Sequence, residues 1–458
     1  MDEGPDGAPP EDAPMEDAEE EDDDDEEEEE GGSGAAAAAD EVYLPGRALA
    51  EDEELVVDES AYVMFHQAHT GDPCLSFDVV RDRLGDNRTE YPLTMYMVAG
   101  TQADRANRNA VIVLKMSNMQ RNKKSKEKGS DDEESEDSGE EDDEEELPDL
   151  ETAAIKHIGC VNRVRATTVQ EVPLCATWSE TGSVHVWNLA RALEAVDDPS
   201  AASLYARNSE DKNTKPVFTF KGHQTEGFAV DWSSVTPGVL ATGDCGHSIH
   251  VWQPGPAGTW RVDQRPYGAH TASVEDIQWS PNEATVFASC SVDKSIRIWD
   301  SRAPPAKAGM LHVPDAHDSD VNVISWNRTE PFIVSGGDDG KLCVWDLRTL
   351  QSGRPVALFK HHSAPVTTVE WHPTDSTVFA SGGADDQVVQ WDLSVERDDE
   401  AAGSSAAADA KLNELPPQLL FIHQGQEDVK ELHWHPQAPG CLLSTAHSGF
   451  NVFRTISV

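Results

Sequence analysis

The sequence predicts an all-β fold, a seven-bladed β-propeller with one N-terminal α-helix and disordered acidic segments. Three observations predict it. A histidine-to-tryptophan motif recurs along the chain, the tryptophans that end successive units are evenly spaced, and most of the negative charge is confined to segments outside the repeat. A recurring motif of this length is typical of stacked four-stranded sheets, each made by one unit.

Each unit begins at a histidine, reaches a tryptophan about ten residues later, and ends on a hydrophobic alternation with a second aromatic residue. Five units begin at His223, His270, His317, His362 and His423, and a degenerate sixth begins at His157. The final aromatic residue follows each histidine by 28 to 30 residues, and Trp252, Trp299, Trp345 and Trp391 lie 47, 46 and 46 residues apart. This period is slightly longer than the about 40–45 residues of a WD blade. Residues 93–458 therefore resemble WD40 repeats.

The first strands of the propeller precede the degenerate unit. Residues 93–117 are rich in β-branched and aromatic residues, which predicts a seventh, N-terminal blade. CLSFDVV (74–80) is expected to supply a strand that closes the last blade, because an open ring would leave strand edges unpaired. We assign the propeller to residues 73–458, with insertions at 190–216 and 394–417 that are either binding loops or disordered.

Residues 51–72 predict the single helix. Leu55, Tyr62 and Phe65 recur at helical spacing, and Asp58 is a plausible N-cap. The expected helix runs from about residue 59 to 69 and packs on the propeller.

Two segments hold most of the charge. Residues 1–60 carry 27 acidic residues and one basic residue, and residues 120–151 carry 16 acidic and five basic residues. Such composition cannot form a core, so residues 1–50 are expected to be a disordered tail and residues 119–152 a disordered loop. The acidic runs either shield basic clients or only confer solubility.

The overall charge limits the class of partner. A formal net charge of −51 argues against direct nucleic-acid binding and favours Lys- and Arg-rich partner proteins. No apolar stretch reaches the roughly 18 residues of a membrane span, and the N-terminus lacks a secretory pattern. Seven cysteines without a CxxC pair predict structural thiols in a reducing compartment.

The sequence predicts no catalytic residue, metal site or cofactor. His270, Ser289 and Asp293 resemble a catalytic triad in composition, but equivalent sets recur in later units. A repeated set indicates scaffold, in which the polar groups form a buried hydrogen-bond chain. His433 and His435 could share a strand face, but two histidines are too few for a zinc site.

A basic stretch precedes the second acidic run. It predicts either a nuclear import signal or a solvated linker, through Arg121, Lys123, Lys124, Lys126 and Lys128. Ser130 and Ser138 each have an acidic residue three positions later, as acid-directed kinases require, so both are phosphorylation candidates.

Two units end in a WDxR motif, at Arg302 and Arg348. In this they resemble substrate receptors of cullin-based ubiquitin ligases, which implies an adaptor of such a ligase as a partner. The alternative is a strand-end turn in which the aspartate pairs with the arginine.

Several stretches narrow the family. EELVVDESAYVMFHQA (53–68), YPLTMYMVAGTQ (91–102), VNRVR (161–165), SVEDIQW (273–279) and ELPPQLLFIHQG (414–425) resemble the histone-binding WD-repeat family. The acidic runs and the ending FRTISV resemble its glutamate-rich branch. This resemblance implies a non-enzymatic protein of the nucleus and nucleolus, or also the cytoplasm. It implies core histones and a large-subunit ribosomal protein, ribosomal protein three, as clients.

The resemblance also implies a side groove between the N-terminal helix and the double-proline loop. With an apolar floor and an acidic rim, the groove would hold a basic amphipathic helix. Its expected residues are Leu55, Tyr62, Phe65, Glu396, Asp398, Asp399, Glu400 and Leu415. The alternative is that both elements only cap the propeller side.

A second surface is expected on the top face of the ring, through Asn162, Arg163, Glu226, Phe228, Glu275, Asp320 and Asn322. The chain departs from the family here. Cys160 stands where an acidic residue is common, and Pro365 and Thr367 replace an acidic and an aromatic residue.

Overall fold

In the computed structural model of the chain, residues 43, 55–122, 147–208, 215–396 and 415–458 are described. They fall into two units, residues 1–56 and residues 57–458. Of the first unit only Tyr43, Leu55 and Val56 are described. In the described part of the chain, no helix is long and apolar enough to span a membrane.

The strands of the second unit form seven four-stranded antiparallel sheets. Blade 1 contains β2 (Cys74–Val79), β3 (Leu93–Thr101), β4 (Ala110–Met119) and β5 (Asp149–Lys156). Blade 2 contains β6 (Val161–Val169), β7 (Val172–Ser179), β8 (Ser183–Asn188) and β9 (Phe218–Phe220). Blade 3 contains β10 (Ala229–Trp232), β11 (Leu240–Gly243), β12 (Ile249–Pro254) and β13 (Trp260–Val262).

The later blades repeat this order. Blade 4 contains β14 (Val274–Trp279), β15 (Val286–Ser291), β16 (Ile296–Asp300) and β17 (Gly309–Val313). Blade 5 contains β18 (Val321–Trp326), β19 (Phe332–Gly337), β20 (Leu342–Asp346) and β21 (Ala357–Phe359). Blade 6 contains β22 (Val366–Trp371), β23 (Val378–Gly383), β24 (Val388–Asp392) and β25 (Leu419–His423). Blade 7 contains β26 (Glu431–Trp434), β27 (Cys441–Ala446), β28 (Gly449–Thr455) and β1 (Tyr62–Ala68).

The blades form a closed ring. The first strands of successive blades contact one another, and β26 of blade 7 contacts β2 of blade 1. The N-terminal strand β1 pairs with β28, so the two ends of the described second unit meet in one sheet. The predicted seven-bladed propeller is confirmed.

The predicted N-terminal α-helix is wrong. Glu59–Ala61 forms one turn of 3-10 helix capped by Asp58, and β1 follows directly. A bulge between Tyr62 and Met64 interrupts the pairing of β1 with β28. The bulge breaks the two-residue alternation of the strand, which leaves Tyr62 and Phe65 at the three-residue spacing of a helix. The tertiary pairing decides for the strand, so residues 62–68 belong to the propeller.

Two further boundaries differ from the prediction. The stretch at 74–80 does not close blade 7, because β2 is the first strand of blade 1. The ends of the loop at 119–152 are ordered by the sheets: the Asn122 amide donates to the Val63 carbonyl at 3.1 Å, and β5 begins at Asp149. Residues 120–122 therefore run beside β1 of blade 7.

The insertion at 190–216 contains two α-helices, α1 (Ala190–Asp197) and α2 (Pro199–Asn208). It lies within blade 2, between β8 and β9, and the insertion at 394–417 lies correspondingly within blade 6. The Tyr96 hydroxyl donates to Asp197 at 2.6 Å, and the Tyr205 hydroxyl donates to the Ala154 carbonyl at 3.1 Å. The helix pair thus covers the outer edge of blade 1, which protects an otherwise unpaired strand.

Four blades contain the predicted buried hydrogen-bond chain. In blade 4, His270 Nδ1 lies 2.9 Å from Asp293, its Nε2 lies 2.7 Å from Ser289 Oγ, and Trp299 Nε1 donates to the same Ser289 at 2.9 Å. The chain recurs as His223, Asp244, Thr242 and Trp252 in blade 3, as His317, Asp339, Ser335 and Trp345 in blade 5, and as His362, Asp385, Ser381 and Trp391 in blade 6. It fixes the tryptophan of each blade.

Blade 7 departs from this pattern. The repeat spacing places His423 in the chain of this blade, but the Ser444 hydroxyl donates instead to Gln426 at 2.5 Å. His423 contacts Tyr62 of β1. Blade 2 has no aspartate in its chain, since His157 Nδ1 lies 2.9 Å from the Gly159 carbonyl oxygen.

Charged side chains also join the blades around the central channel. In this belt a carboxylate on one first strand accepts a backbone N–H from the next blade, as Asp78, Asp231, Asp276, Glu370 and Glu431 do. Glu431 additionally pairs with the guanidinium groups of Arg163 and Arg165, each at 2.8 Å. Burial would raise the pKa of Glu431, but the two arginines hold it well below its usual range. This residue of blade 7 therefore binds blades 1 and 2.

Candidate functional site

An aromatic surface lies on the side of the ring, between the outer strands of blades 6 and 7. Its members are Tyr62 and Phe65 of β1 with Phe421 and His423 of β25. The Tyr62 ring stacks on Phe65 with centroids 5.2 Å apart and meets Phe421 edge-on at 5.3 Å. Tyr62 is only 9% exposed, whereas Phe65 and Phe421 are half-buried. We call these four residues the side surface.

The structure brings some of the predicted groove residues to the side surface. Tyr62 and Phe65 lie on it, although on a strand rather than the expected helix. Leu55 belongs to the other unit of the chain and is 50% exposed. Phe421 was missed, although it belongs to the FIH motif quoted for the family and its alternation with His423 could have indicated a shared strand face.

The double-proline loop ends beside this surface. The Gln418 amide donates to the Val395 carbonyl at 2.9 Å, and the Asp392 amide donates to the Gln418 carbonyl at 2.8 Å, so the two ends of the insertion are held together. Glu396 is exposed next to this junction, and Leu415 is half-buried three residues before it. Asp398, Asp399 and Glu400 lie outside the described residues.

The predicted top-face residues gather where the first strands begin. In five blades a one-residue bulge interrupts the pairing of the first and second strands, at Leu75, Asn162, Glu275, Asn322 and Thr367. A bulge redirects the side chain of the extra residue. Because all five occupy the same register, their side chains belong to one edge of the ring. Three of them are predicted site residues.

Hydrogen bonds connect most of the predicted top-face residues. The Asn162 amide donates to Glu226 at 3.0 Å, and the Asn322 amide donates to Asp338 at 2.8 Å. The Asp338 backbone N–H donates to the Asp320 carbonyl at 3.0 Å. These contacts fix carboxylates at the rim, which is the arrangement that a basic ligand requires.

Two predicted top-face residues serve the interior. The Arg163 side chain is 13% exposed and is held by Glu431, while its Nε donates to the Phe228 carbonyl at 3.2 Å. Burial raises the pKa of the Glu275 carboxyl, and nearby Arg163 acts in the opposite direction. Thr367, a departure from the family, donates its hydroxyl to the Val429 carbonyl at 2.7 Å and so joins blades 6 and 7.

The WDxR arginines pair with their own aspartates. Arg302 Nη2 lies 2.5 Å from Asp300, and Arg348 Nη2 lies 2.7 Å from Asp346. Their side chains remain 73% and 64% exposed. Arg265 pairs with Asp263 in the same way at 2.8 Å outside any WD motif, so the geometry is that of a local turn.

The remaining predicted positions are mostly outside the described residues. These are the acidic runs at 16–30 and 131–146, together with Lys123, Lys124, Lys126, Lys128, Ser130 and Ser138. Arg121 is described and exposed. The import and phosphorylation assignments stay predictions.

The buried sets offer little for catalysis. The imidazoles of the four histidine chains are fully enclosed, with 0% of each side chain exposed. Within the described ranges, no three His, Cys, Asp or Glu side chains are grouped as a metal site would require. The accessible chemistry is that of two binding surfaces, one aromatic and one acidic.

Comparison with known proteins fits this geometry. The family model for the histone-binding protein RBBP4, a component of the CAF1 complex, matches residues 52–120. The model for the WD domain, G-beta repeat, matches residues 262–300, 309–346 and 353–392. The first match includes β1 with its side-surface residues Tyr62 and Phe65.

Three relatives span most of the chain. Protein HEAT STRESS TOLERANT DWD 1 of Arabidopsis thaliana is 42% identical over 91% of this chain and 92% of its own length. Ribosome assembly protein rrb1 of Schizosaccharomyces pombe is 40% identical over 91% and 84%. Glutamate-rich WD repeat-containing protein 1 of Dictyostelium discoideum is 44% identical over 89% and 83%.

Proposed function

This chain belongs to the family of glutamate-rich WD-repeat proteins, and from that membership we propose that it is a non-enzymatic, chaperone-type scaffold for basic clients. The clients are core histones and a large-subunit ribosomal protein, ribosomal protein three. The scaffold acts in ribosome assembly and chromatin, in the nucleus and nucleolus. The name of the fission-yeast relative and the histone-binding family match support this proposal.

The side surface is the observation that carries the proposal. Phe65 and Phe421 offer half-buried aromatic rings between two outer strands, and Glu396 is exposed at the end of the adjoining insertion. A basic amphipathic helix would place its apolar residues on these rings and its Lys or Arg side chains toward the carboxylates. Helices of this kind occur in core histones, and the same chemistry suits a ribosomal client.

Changing the exposed aromatic residues tests the side surface. The variant Phe65→Ser with Phe421→Ser should bind a histone helix peptide at least about tenfold more weakly, because aromatic anchors dominate such interfaces. The matched control is Val356→Ser with Leu358→Ser, since both are exposed apolar residues of blade 5. Titration calorimetry with the full-length chain measures both. Equal affinities for the two variants would contradict the proposal.

The acidic rim is tested separately. Reversing Glu396, Asp398, Asp399 and Glu400 to Lys should leave the unfolding free energy within about 1 kcal/mol, as is usual for exposed charges. It should sharply weaken binding of the helix peptide. Reversing four acids of the N-terminal run, residues 22–25, is the control with the same change in net charge. A reversed rim that binds the peptide with unchanged affinity would place the client elsewhere.

The top face is proposed as a second client surface, for extended basic tails. Its support is the rim of fixed carboxylates at Glu226, Asp320 and Asp338. Replacing Asp320 and Asp338 with Asn should weaken a histone tail peptide and leave the helix peptide unaffected. If both peptides weakened together, the two clients would share one surface.

A ubiquitin-ligase substrate receptor is the alternative function. It is favoured by the two arginines at equivalent strand ends of blades 4 and 5, both largely exposed. Pull-down of the ligase adaptor should be lost in the variant Arg302→Ala with Arg348→Ala and kept in Arg265→Ala, which removes the same kind of turn pair. Unchanged pull-down in the double variant would exclude this function.

A further inference from the structure

Positive charge collects on the edge of the ring opposite the top face, at blades 1 and 7. Arg81, Arg83 and Arg88 lie in the loop between β2 and β3, Arg121 follows β4, and Arg454 lies near the end of β28. We call these five residues the arginine patch. Their concentration contrasts with the net charge of −51 of the whole chain.

Tyr91 lies at the centre of the arginine patch. The guanidinium carbon of Arg121 lies 5.4 Å from the centroid of the Tyr91 ring. Burial raises the pKa of the Tyr91 hydroxyl, while the neighbouring Arg454 and Arg121 act in the opposite direction. Neither arginine has a carboxylate within ion-pair distance among the described residues. Two guanidinium groups without counter-charges therefore flank one ring.

Arg88 is held rigidly at the same loop. Its Nη1 donates to the Thr94 carbonyl at 3.0 Å and its Nη2 to Asp82 at 2.8 Å. Its buried Nε–H has no acceptor in the described part of the chain. A cavity of about 520 Å³, lined by residues 84–94, opens beside it. A fixed guanidinium with an unused donor is suited to an anion, and its planar fork matches a phosphate.

The acidic residues of this loop do not cancel the positive charge. Asp82 is paired with Arg88, and Asp86 is paired with Arg81 at 3.1 Å. Within the described loop at 81–94, Glu90 is the one carboxylate without an ion pair. More distant acidic groups are screened beyond about 8 Å at physiological salt. The local potential is therefore positive.

We propose that the arginine patch binds the phosphodiester backbone of a single-stranded RNA. The five arginines extend over the ends of several strands in two blades, so one isolated phosphate would leave most of them unused. A polynucleotide presents one phosphate per nucleotide and can engage them together. Such contacts give affinity without sequence preference. The whole-chain charge argues against nucleic acid, but this edge is a local exception.

Fluorescence anisotropy with a labelled oligouridylate and the full-length chain tests the proposal. The variant Arg121→Gln with Arg454→Gln should bind about tenfold more weakly at low salt, and the slope of log affinity against log salt should fall by about 1.4 for two lost phosphate contacts. The control, Arg265→Gln with Arg354→Gln, removes two exposed arginines elsewhere and should change affinity less than about twofold.

Competition distinguishes the source of the phosphate. Unlabelled RNA should displace the probe, whereas inorganic phosphate and a phosphoserine peptide at equal phosphate concentration should not. Displacement by either of the latter would overturn the assignment to RNA. Absence of RNA binding by the full-length chain, or an equal loss in the control variant, would also overturn it. Circular dichroism of the single variant Arg121→Gln, an exposed residue, keeps the test valid if the double variant misfolds.

Discussion

The Tyr62 hydroxyl lies 2.7 Å from Nδ1 of His423, which joins the N-terminal strand of blade 7 to the outer strand of blade 6. The Asn451 amide donates to Nε2 of the same imidazole at 2.9 Å, so the ring proton is on Nδ1 and His423 donates to Tyr62. Burial lowers the pKa of His423 to about 3, which keeps the ring neutral at pH 7. The contact connects the closing strand to its neighbour.

Removing that hydroxyl should destabilise the ring closure. Tyr62→Phe leaves the buried Nδ1–H of His423 without an acceptor, which costs about 1–3 kcal/mol. Tyr205→Phe is the control, because it deletes the same atom where the hydroxyl bonds an exposed carbonyl at 3.1 Å. Urea denaturation measures both. A Tyr62→Phe protein as stable as the control would show that the contact does not support closure.

The histidine chains should each contribute to stability. Burial opposes ionisation of Asp293, but bonds from His270 and Ser295 hold its pKa well below the usual range. Asp293→Ala leaves these partners unpaired in the interior and should cost roughly 2–4 kcal/mol. The equivalent changes at Asp339 and Asp385 should do the same, while the exposed Asp315→Ala should not. Differential scanning calorimetry would contradict the prediction if all three were silent.

The channel belt predicts a loss of stability in alkali. Burial would lower the pKa of His433, but Glu370 and Glu431 raise it to about 10, above the about 6.5 of an unfolded histidine. The folded state therefore binds the proton more tightly, and this stabilisation is complete below pH 6.5 and declines as the pH rises through about 10. Denaturation between pH 6 and 10.5 should show a decline in wild type that is smaller in His433→Gln. His447→Gln, an exposed histidine, should retain the full decline.

The sequence predicts the propeller because its signal is local and repeated. Each His-to-Trp interval lies within one blade, and the buried Trp299, Trp345 and Trp391 occupy equivalent places. The closing strand was misassigned because its identity depends on pairing with β28, almost 400 residues away, and its bulge mimics helical spacing. Long-range pairing of this kind leaves no trace in a short window.

The binding surfaces were predictable only in part. Asn162, Glu275 and Asn322 each follow a buried valine at the start of a first strand, and this spacing is visible in the sequence. The loss of Arg163 to Glu431 was not predictable, because the two residues are 268 positions apart and meet only when blade 7 closes the ring. Tyr62 is likewise mostly a core residue, which leaves Phe65 and Phe421 as the accessible pair.

The acidic runs should govern how fast basic clients are captured. Deleting residues 16–30 and 131–146 should leave the propeller folded, because every strand lies outside them. The deletion removes long-range attraction, so the association rate for a histone should fall and its dependence on salt should flatten.

Stopped-flow association at low and physiological salt measures this effect on the full-length and deleted chains. Deleting the neutral stretch at 31–39, GGSGAAAAA, is the control for shortening the tail without changing its charge. Dissociation rates should change little, because screened charges act mainly on the encounter. If the deleted chain associated as fast as the full-length chain at low salt, the runs would confer solubility and take no part in client capture.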